Sequence, residues 1–133
     1  MKGDPLNPAD WLRVAERDLA DARDNLSPGK AHLAAYCLQQ AAEKLLKGWL
    51  IGHGWTLVKT HALVRLAIEC DRYGCDLAWF DATADRLSRL YFTDRYVDDS
   101  PDPDVDAAEI AGLLADVERL HTLLFPPPPA GFP

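Results

Sequence analysis

The sequence predicts an all-α fold, a bundle of five helices, and three observations support this prediction. Apolar residues recur every three or four positions in five separate segments. No segment shows the sustained alternation of apolar and polar residues that a half-buried strand requires. Glycine and proline clusters, or an acidic proline-containing stretch, separate the segments. We therefore assign one helical domain to residues 1–125 and a proline-rich tail to residues 126–133, a length that allows a real core.

The first helix is predicted over residues 8–26. Asn7 can cap its first turn, and Pro8 suits the first helical position because that residue needs no backbone donor. The sequence Ser-Pro-Gly at 27–29 ends the helix. Its buried stripe follows helical spacing: Trp11, Ala15, Leu19, Ala22 and Leu26.

The second helix is the longest, over residues 30–52, and its apolar residues cover a wide arc. We expect it to be central and packed on more than one side. Its remaining arc carries five polar residues: Gln39, Gln40, Glu43, Lys44 and Lys47. Two interpretations of that arc are open. It is either a solvated face with a Glu43–Lys47 pair worth only ~0.2–0.5 kcal/mol, or a polar groove for a nucleotide or anion.

The rest of the chain supplies three more helices and two connecting segments. The third helix is predicted to start near Thr60 as its N-cap. The fourth covers residues 77–92, and residues 93–104, with two prolines and many aspartates, are predicted to form an exposed loop. The fifth covers residues 105–124. The prolines at 126–129 cannot continue it and predict a short extended tail.

Composition narrows the classes of function. No apolar run approaches the roughly 18 residues that span a bilayer, and the N-terminus has no signal-peptide pattern, so we expect a cytoplasmic protein with no membrane association.

The odd cysteine count argues against a disulfide framework. Cys37 suits a core position. Cys70 and Cys75 match no standard zinc spacing, so we expect neither a metal nor a cofactor.

The net charge of −7 is unevenly placed along the chain. Residues 98–109 carry six acidic side chains and no base, and the remainder is nearly neutral. Such a run is typical of a solvated loop and helix start. It also repels nucleic-acid phosphates, so RNA is not the expected partner, although a local basic pocket stays open.

Three motifs together resemble the HEPN domain family, small helical proteins often encoded beside a minimal nucleotidyltransferase. These are the run Gln39-Gln40-Ala41-Ala42-Glu43-Lys44, the pair Thr60-His61 and the pair Arg95-Tyr96, in that order and at those separations. The resemblance covers roughly residues 9–124. It implies a five-helix up-and-down bundle that forms a homodimer.

Many HEPN domains are metal-independent ribonucleases, whose signature is an Arg followed by a His after four to six residues. The Arg holds phosphate and the His moves a proton near neutral pH. Here no histidine has that spacing from an arginine. Arg95 stands where the resemblance places the loop Arg, but Asp98, Asp99 and Ser100 follow it, and Val97 replaces a frequent proline.

Several residues are candidates for ligand or anion binding. Arg95 either binds a phosphate or partner carboxylate, or pairs with a nearby aspartate near the helix C-terminus. His61 either has a ligand-binding or catalytic role or is a capping or buried histidine. Tyr96 could line the same cleft, although aromatic residues at helical spacing are usually core. The candidate set is Arg95, Lys44, Lys47, Gln40, His61 and Tyr96, with no catalytic residue assigned.

We therefore expect a non-catalytic HEPN interaction module. The resemblance implies a minimal nucleotidyltransferase as its partner, in a toxin–antitoxin or defence-type system, with a nucleotide or anion in the cleft. Two alternatives stay open. One is a metal-independent ribonuclease whose Arg95 and His61 meet in space, since active sites assemble from distant positions. The other is a scaffold subunit without a ligand.

Overall fold

A computed structural model of the chain describes residues 3–26, 29–95 and 105–128, and for residues 92–95 it describes the backbone alone. Over these ranges the chain forms five α-helices and one 3₁₀ turn, and contains no strand. The all-α bundle predicted from the sequence is therefore confirmed. The elements are α1 (Pro8–Asp24), α2 (Ala31–Gly52), α3 (Leu63–Arg72), a 3₁₀ turn (Ala78–Phe80), α4 (Asp81–Arg95) and α5 (Ala107–Leu124).

Helix ends agree with the predicted caps at α1 but not at α3. Asn7 Oδ1 accepts a hydrogen bond from the Ala9 N–H at 3.0 Å, as the sequence predicts for an N-cap. The N-cap predicted at Thr60 is wrong, because α3 begins at Leu63 with Ala62 in the cap position. Thr60 Oγ1 instead accepts from the Ala62 N–H at 3.1 Å, which makes a side-chain turn before the helix.

The central element is α2, which contacts all four other helices and contacts α1 most extensively. Burial of its alanine-rich surface explains this position, since small side chains let neighbouring helices approach on several sides. The largest fully buried side chains around it are Phe80, Leu19, Leu38, Leu45, Leu46, Leu50, Leu63, Leu66, Leu77, Leu87, Leu90 and Ile110. None of the described helices combines the length and the apolar character needed to cross a bilayer.

Ion pairs and hydrogen bonds between helices define their directions. The Arg23–Glu118 and His121–Glu16 pairs connect α1 to α5, and their order shows that these helices are antiparallel. Thr83 Oγ1 donates to Asp116 Oδ2 at 2.6 Å, which links α4 to α5. The order of contacts between α1 and α2 is also reversed, so α1 runs antiparallel to both α2 and α5.

Candidate functional site

The polar arc of α2 is buried. Gln39, Glu43 and Lys47 follow one another at intervals of four residues, so they lie in a single row along the helix. All three belong to the protein interior. The interpretation of this arc as a solvated face is therefore wrong for these three residues. A helix that is contacted on four sides leaves little of its circumference to water, whatever the residue type.

Glu43 is the centre of a buried hydrogen-bond network. Lys47 Nζ donates to Glu43 Oε2 at 3.0 Å, and Gln39 Nε2 lies 3.3 Å from Glu43 Oε1. His61 Nδ1 lies 2.8 Å from the same Oε1. Gln39 Nε2 also approaches the His61 carbonyl oxygen at 3.2 Å. The segment between α2 and α3 is thus attached to α2 through both the side chain and the backbone of His61.

Glu43 determines the orientation of the His61 imidazole. An ionised carboxylate only accepts hydrogen bonds, so the proton of this contact resides on Nδ1. The other ring nitrogen, Nε2, then carries a lone pair in the neutral ring and a second proton in the imidazolium. The His61 side chain is 57% exposed, whereas that of Glu43 is 6% exposed. A buried anion therefore supports a histidine that a dissolved ligand can reach.

Two tyrosines complete the surroundings of His61. The Tyr91 ring of α4 lies 5.7 Å from the imidazole centroid and stacks on Tyr36 of α2 at 5.8 Å. Arg95 is the last residue of α4, one turn beyond Tyr91. The side chain of Arg95 and the whole of Tyr96, both candidates from the sequence, lie outside the described residues.

The remaining candidates divide between two sides of α2. Lys44 Nζ pairs with Asp18 Oδ2 of α1 at 2.5 Å and lines a cavity of about 210 Å³ beside Trp11. This volume is below the roughly 300 Å³ of ordinary ligand pockets, and Asp4 and Asp10 also line the cavity, which disfavours an anion there. Gln40 donates to Gln39 Oε1 at 2.6 Å and so extends the network around Glu43.

The charges of this site are balanced before any ligand arrives. The carboxylates of Asp18 and Glu43 pair with the ammonium groups of Lys44 and Lys47, respectively. Protonation of His61 would add one positive charge beside Glu43, on the exposed side of the row. Groups of His, Cys, Asp or Glu suited to hold a metal ion are absent from the described ranges. The arrangement can therefore donate to an anion, or exchange a proton, through Nε2 of His61.

Glu43 and Asp18 belong to the site but are not among the candidates predicted from the sequence. The sequence did contain a signal for Glu43, because this residue lies in the middle of the longest helix, which is largely apolar, and four residues before a lysine. A carboxylate at such a position must be paired when the helix is buried. Asp18 gave no comparable signal, since it lies at the edge of an ordinary amphipathic stripe and meets Lys44 only through the packing of α1 on α2.

Comparison with known proteins connects this fold to one family. The model of the HEPN domain matches residues 8–124. The chain is similar in structure to TT1696 from Thermus thermophilus, with 21% identity, a TM-score of 0.73 and coverage of 88% of this chain and 94% of that one. It is also similar to ST0689, an archaeal HEPN homologue, with 26% identity, a TM-score of 0.70 and coverage of 93% and 96%. A search of curated proteins finds no match. The protein belongs to the HEPN domain family.

Proposed function

We propose that this protein is a non-catalytic HEPN module that binds a nucleotide, or another phosphate-bearing ligand, at His61. The observation that carries the proposal is the contact of 2.8 Å between His61 Nδ1 and the buried Glu43 carboxylate. This contact occupies Nδ1 and not Nε2, and the His61 side chain is 57% exposed, so Nε2 is available to a ligand. Tyr36 is half-buried and stacks on the buried Tyr91 beside His61, so Tyr36 offers the aromatic surface that suits a nucleobase. Arg95 follows Tyr91 by one turn at the end of α4.

Titration of the full-length protein with AMP, ADP, ATP and inorganic phosphate by calorimetry tests this site. We expect His61→Ala and Arg95→Ala to weaken binding by tenfold or more. His53→Ala and Arg89→Ala are matched controls, because His53 caps the far end of α2 and Arg89 pairs with Asp85 on the exposed surface of α4. Absence of binding by all four ligands, or equal binding by all variants, would overturn the proposal in favour of a ligand-free scaffold.

The proposed protein partner is a minimal nucleotidyltransferase, in a cytoplasmic toxin–antitoxin or defence-type system. Membership of the HEPN family supports this proposal, together with the missing Arg–His spacing of its ribonucleases. Co-expression with a nucleotidyltransferase encoded next to this gene, followed by size-exclusion chromatography, tests it. We expect a stable complex of the two chains. Separate elution at micromolar concentration would contradict the partnership.

We also propose that the protein is a homodimer, with the exposed face of α3 as its seam. Val64 and Ile68 lie four residues apart on that face, and each exposes more than a third of its surface. Light scattering should give twice the chain mass for the wild type and a reduced mass for Ile68→Asp. Leu123→Asp, a similarly exposed position on α5, serves as the control and should keep the wild-type mass.

The second candidate function is a metal-independent ribonuclease. A carboxylate that orients an exposed imidazole is a feature of many general acid–base sites, and Glu43 and His61 have this relationship. An assay with labelled single-stranded RNA in the presence of EDTA distinguishes the two functions. We expect the wild type to cleave no faster than His61→Ala. Cleavage that His61→Ala and Arg95→Ala both abolish would establish the enzyme instead.

A further inference from the structure

The C-terminal end of α3 is a Schellman motif that brings two cysteines together. The Cys75 N–H donates to the Cys70 carbonyl at 3.0 Å, and the Gly74 N–H donates to the Asp71 carbonyl at 3.0 Å. Gly74 has a φ of +98°, the left-handed conformation that this motif requires. In a Schellman motif the side chains three residues before the cap and two residues after it frequently contact each other. Here those two side chains are Cys70 and Cys75.

The electrostatics of the two thiols agree with this contact. Burial raises the pKa of Cys70 to about 12, and the next largest cause is the neighbouring Cys75 thiolate. The Cys70 side chain lies in the core, whereas that of Cys75 is half-buried at the surface of the turn. The Cys75 thiol is thus partly accessible to a dissolved reagent, whereas the Cys70 thiol is enclosed by the core.

We propose that Cys70 and Cys75 form a dithiol modification site, which a hydroperoxide oxidises to an intramolecular disulfide across the end of α3. This site is independent of the ligand site at His61. A disulfide needs two α-carbons that lie close together, and the hydrogen bond from the Cys75 N–H to the Cys70 carbonyl brings the two backbones together at the end of α3. The remaining thiol, Cys37, belongs to α2 and provides a natural control.

The reaction with hydrogen peroxide balances in two steps. The Cys75 thiolate attacks one peroxide oxygen, the O–O bond breaks, and the departing hydroxide takes up a proton to leave water and a Cys75 sulfenic acid. Cys70 then loses its proton and its sulfur attacks the sulfenic sulfur, which forms the S–S bond and releases a second water. The two thiols lose two electrons in total, and the peroxide gains them.

The raised pKa values set the conditions of this oxidation. Burial is also the largest cause that raises the pKa of Cys75, followed by Asp76 and Asp71. Because the thiolate is the attacking species, oxidation at neutral pH should be slow. Its rate should rise about tenfold per pH unit as long as the pH stays below the raised pKa of Cys75.

To test the proposal, the full-length protein is oxidised with hydrogen peroxide at pH 7 to 9.5. The product is then alkylated, and its peptides are mapped without reductant. We expect the loss of two hydrogens per chain, a Cys70–Cys75 cross-linked fragment and an alkylated Cys37. Cys37→Ser should keep the cross-link, and Cys75→Ser, at the half-exposed position, should abolish it. A Cys75 sulfinic acid without a cross-link, a disulfide between chains, or an unreactive Cys75 at every pH would each overturn the proposal.

A second probe tests the proximity of the two thiols without oxidation. Phenylarsine oxide binds tightly to paired thiols and weakly to single ones. We expect one arsenical per chain in the wild type and in Cys37→Ser, and none in Cys75→Ser after dialysis. If the wild type and Cys75→Ser retained equal amounts of the arsenical, the result would contradict a dithiol site. This outcome does not depend on how cleanly peroxide oxidises the protein.

Discussion

Gly48 of α2 faces Trp11 of α1 so closely that a β-carbon on Gly48 would lie 2.6 Å from the Trp11 β-carbon. No ordinary packing contact is that short. The opposing atom is attached directly to the α1 backbone, so a rotation of the indole cannot relieve it. The absence of a side chain at position 48 therefore sets how closely the first two helices approach.

Gly48→Ala should destabilise the protein although alanine is the better helix former. The gain in helix propensity is about 0.5–1 kcal/mol, and the cost of overpacking is typically about 1–3 kcal/mol, so we expect a net loss. Urea unfolding measures it. Gly112→Ala is the matched control in α5, where a β-carbon would meet nothing within 4 Å, and it should raise stability by about 0.5–1 kcal/mol. If the two substitutions changed the free energy of unfolding equally, α1 would be able to move away from α2 and relieve the close contact at no cost.

Glu43→Gln should be strongly destabilising. The substitution leaves the Lys47 ammonium, 7% exposed, without its carboxylate, and breaking a buried pair in this way costs about 3–5 kcal/mol. The double variant Glu43→Gln/Lys47→Met removes both charges and should recover much of the loss. Urea unfolding of the wild type, Glu43→Gln, Lys47→Met and the double variant measures the coupling energy between Glu43 and Lys47. Additive effects would contradict the pairing.

His61→Ala should have a small effect on stability. The side chain is more than half exposed, and its ion pair with Glu43 belongs to the class worth about 0–1 kcal/mol after solvent screening. Lys47 and Gln39 still donate to Glu43 in the variant. Thermal unfolding beside His53→Ala checks this expectation. A melting temperature that falls far below that of the control would mean that His61 is a structural residue, and ligand-binding losses in His61→Ala would then have no bearing on the site.

Stability should fall at alkaline pH because of Cys70. Its pKa is raised from 9.0 to about 12 in the folded protein, so the unfolded chain ionises first. The contribution of the neutral thiol is complete below pH 9 and is lost as the pH rises towards 12, with an upper limit of roughly 4 kcal/mol. Unfolding of the wild type and Cys70→Ala under reducing conditions should give curves that converge above pH 9. Parallel curves would contradict the raised pKa.

Much of the fold could be predicted from the spacing of apolar residues, because burial of a helical stripe is a local consequence of sequence. The Asn7 cap and the central position of α2 follow from the residues themselves. The start of α3 was predicted too early, since Thr60 is compatible with either an N-cap or a side-chain turn. The contacts of His61 with Gln39 and Glu43 select the second arrangement.

The sequence by itself determined the class of the fold, the membership of Gln39, Glu43 and Lys47 in one row, and the absence of an Arg–His ribonuclease spacing. Only the tertiary structure decided that this row is buried and that the exposed His61 contacts its middle residue, Glu43. The physical reason is that helical periodicity specifies which residues share a face. The packing of segments that are distant in sequence decides which face contacts another element. It therefore also decides which polar groups are buried and must form hydrogen bonds or ion pairs there.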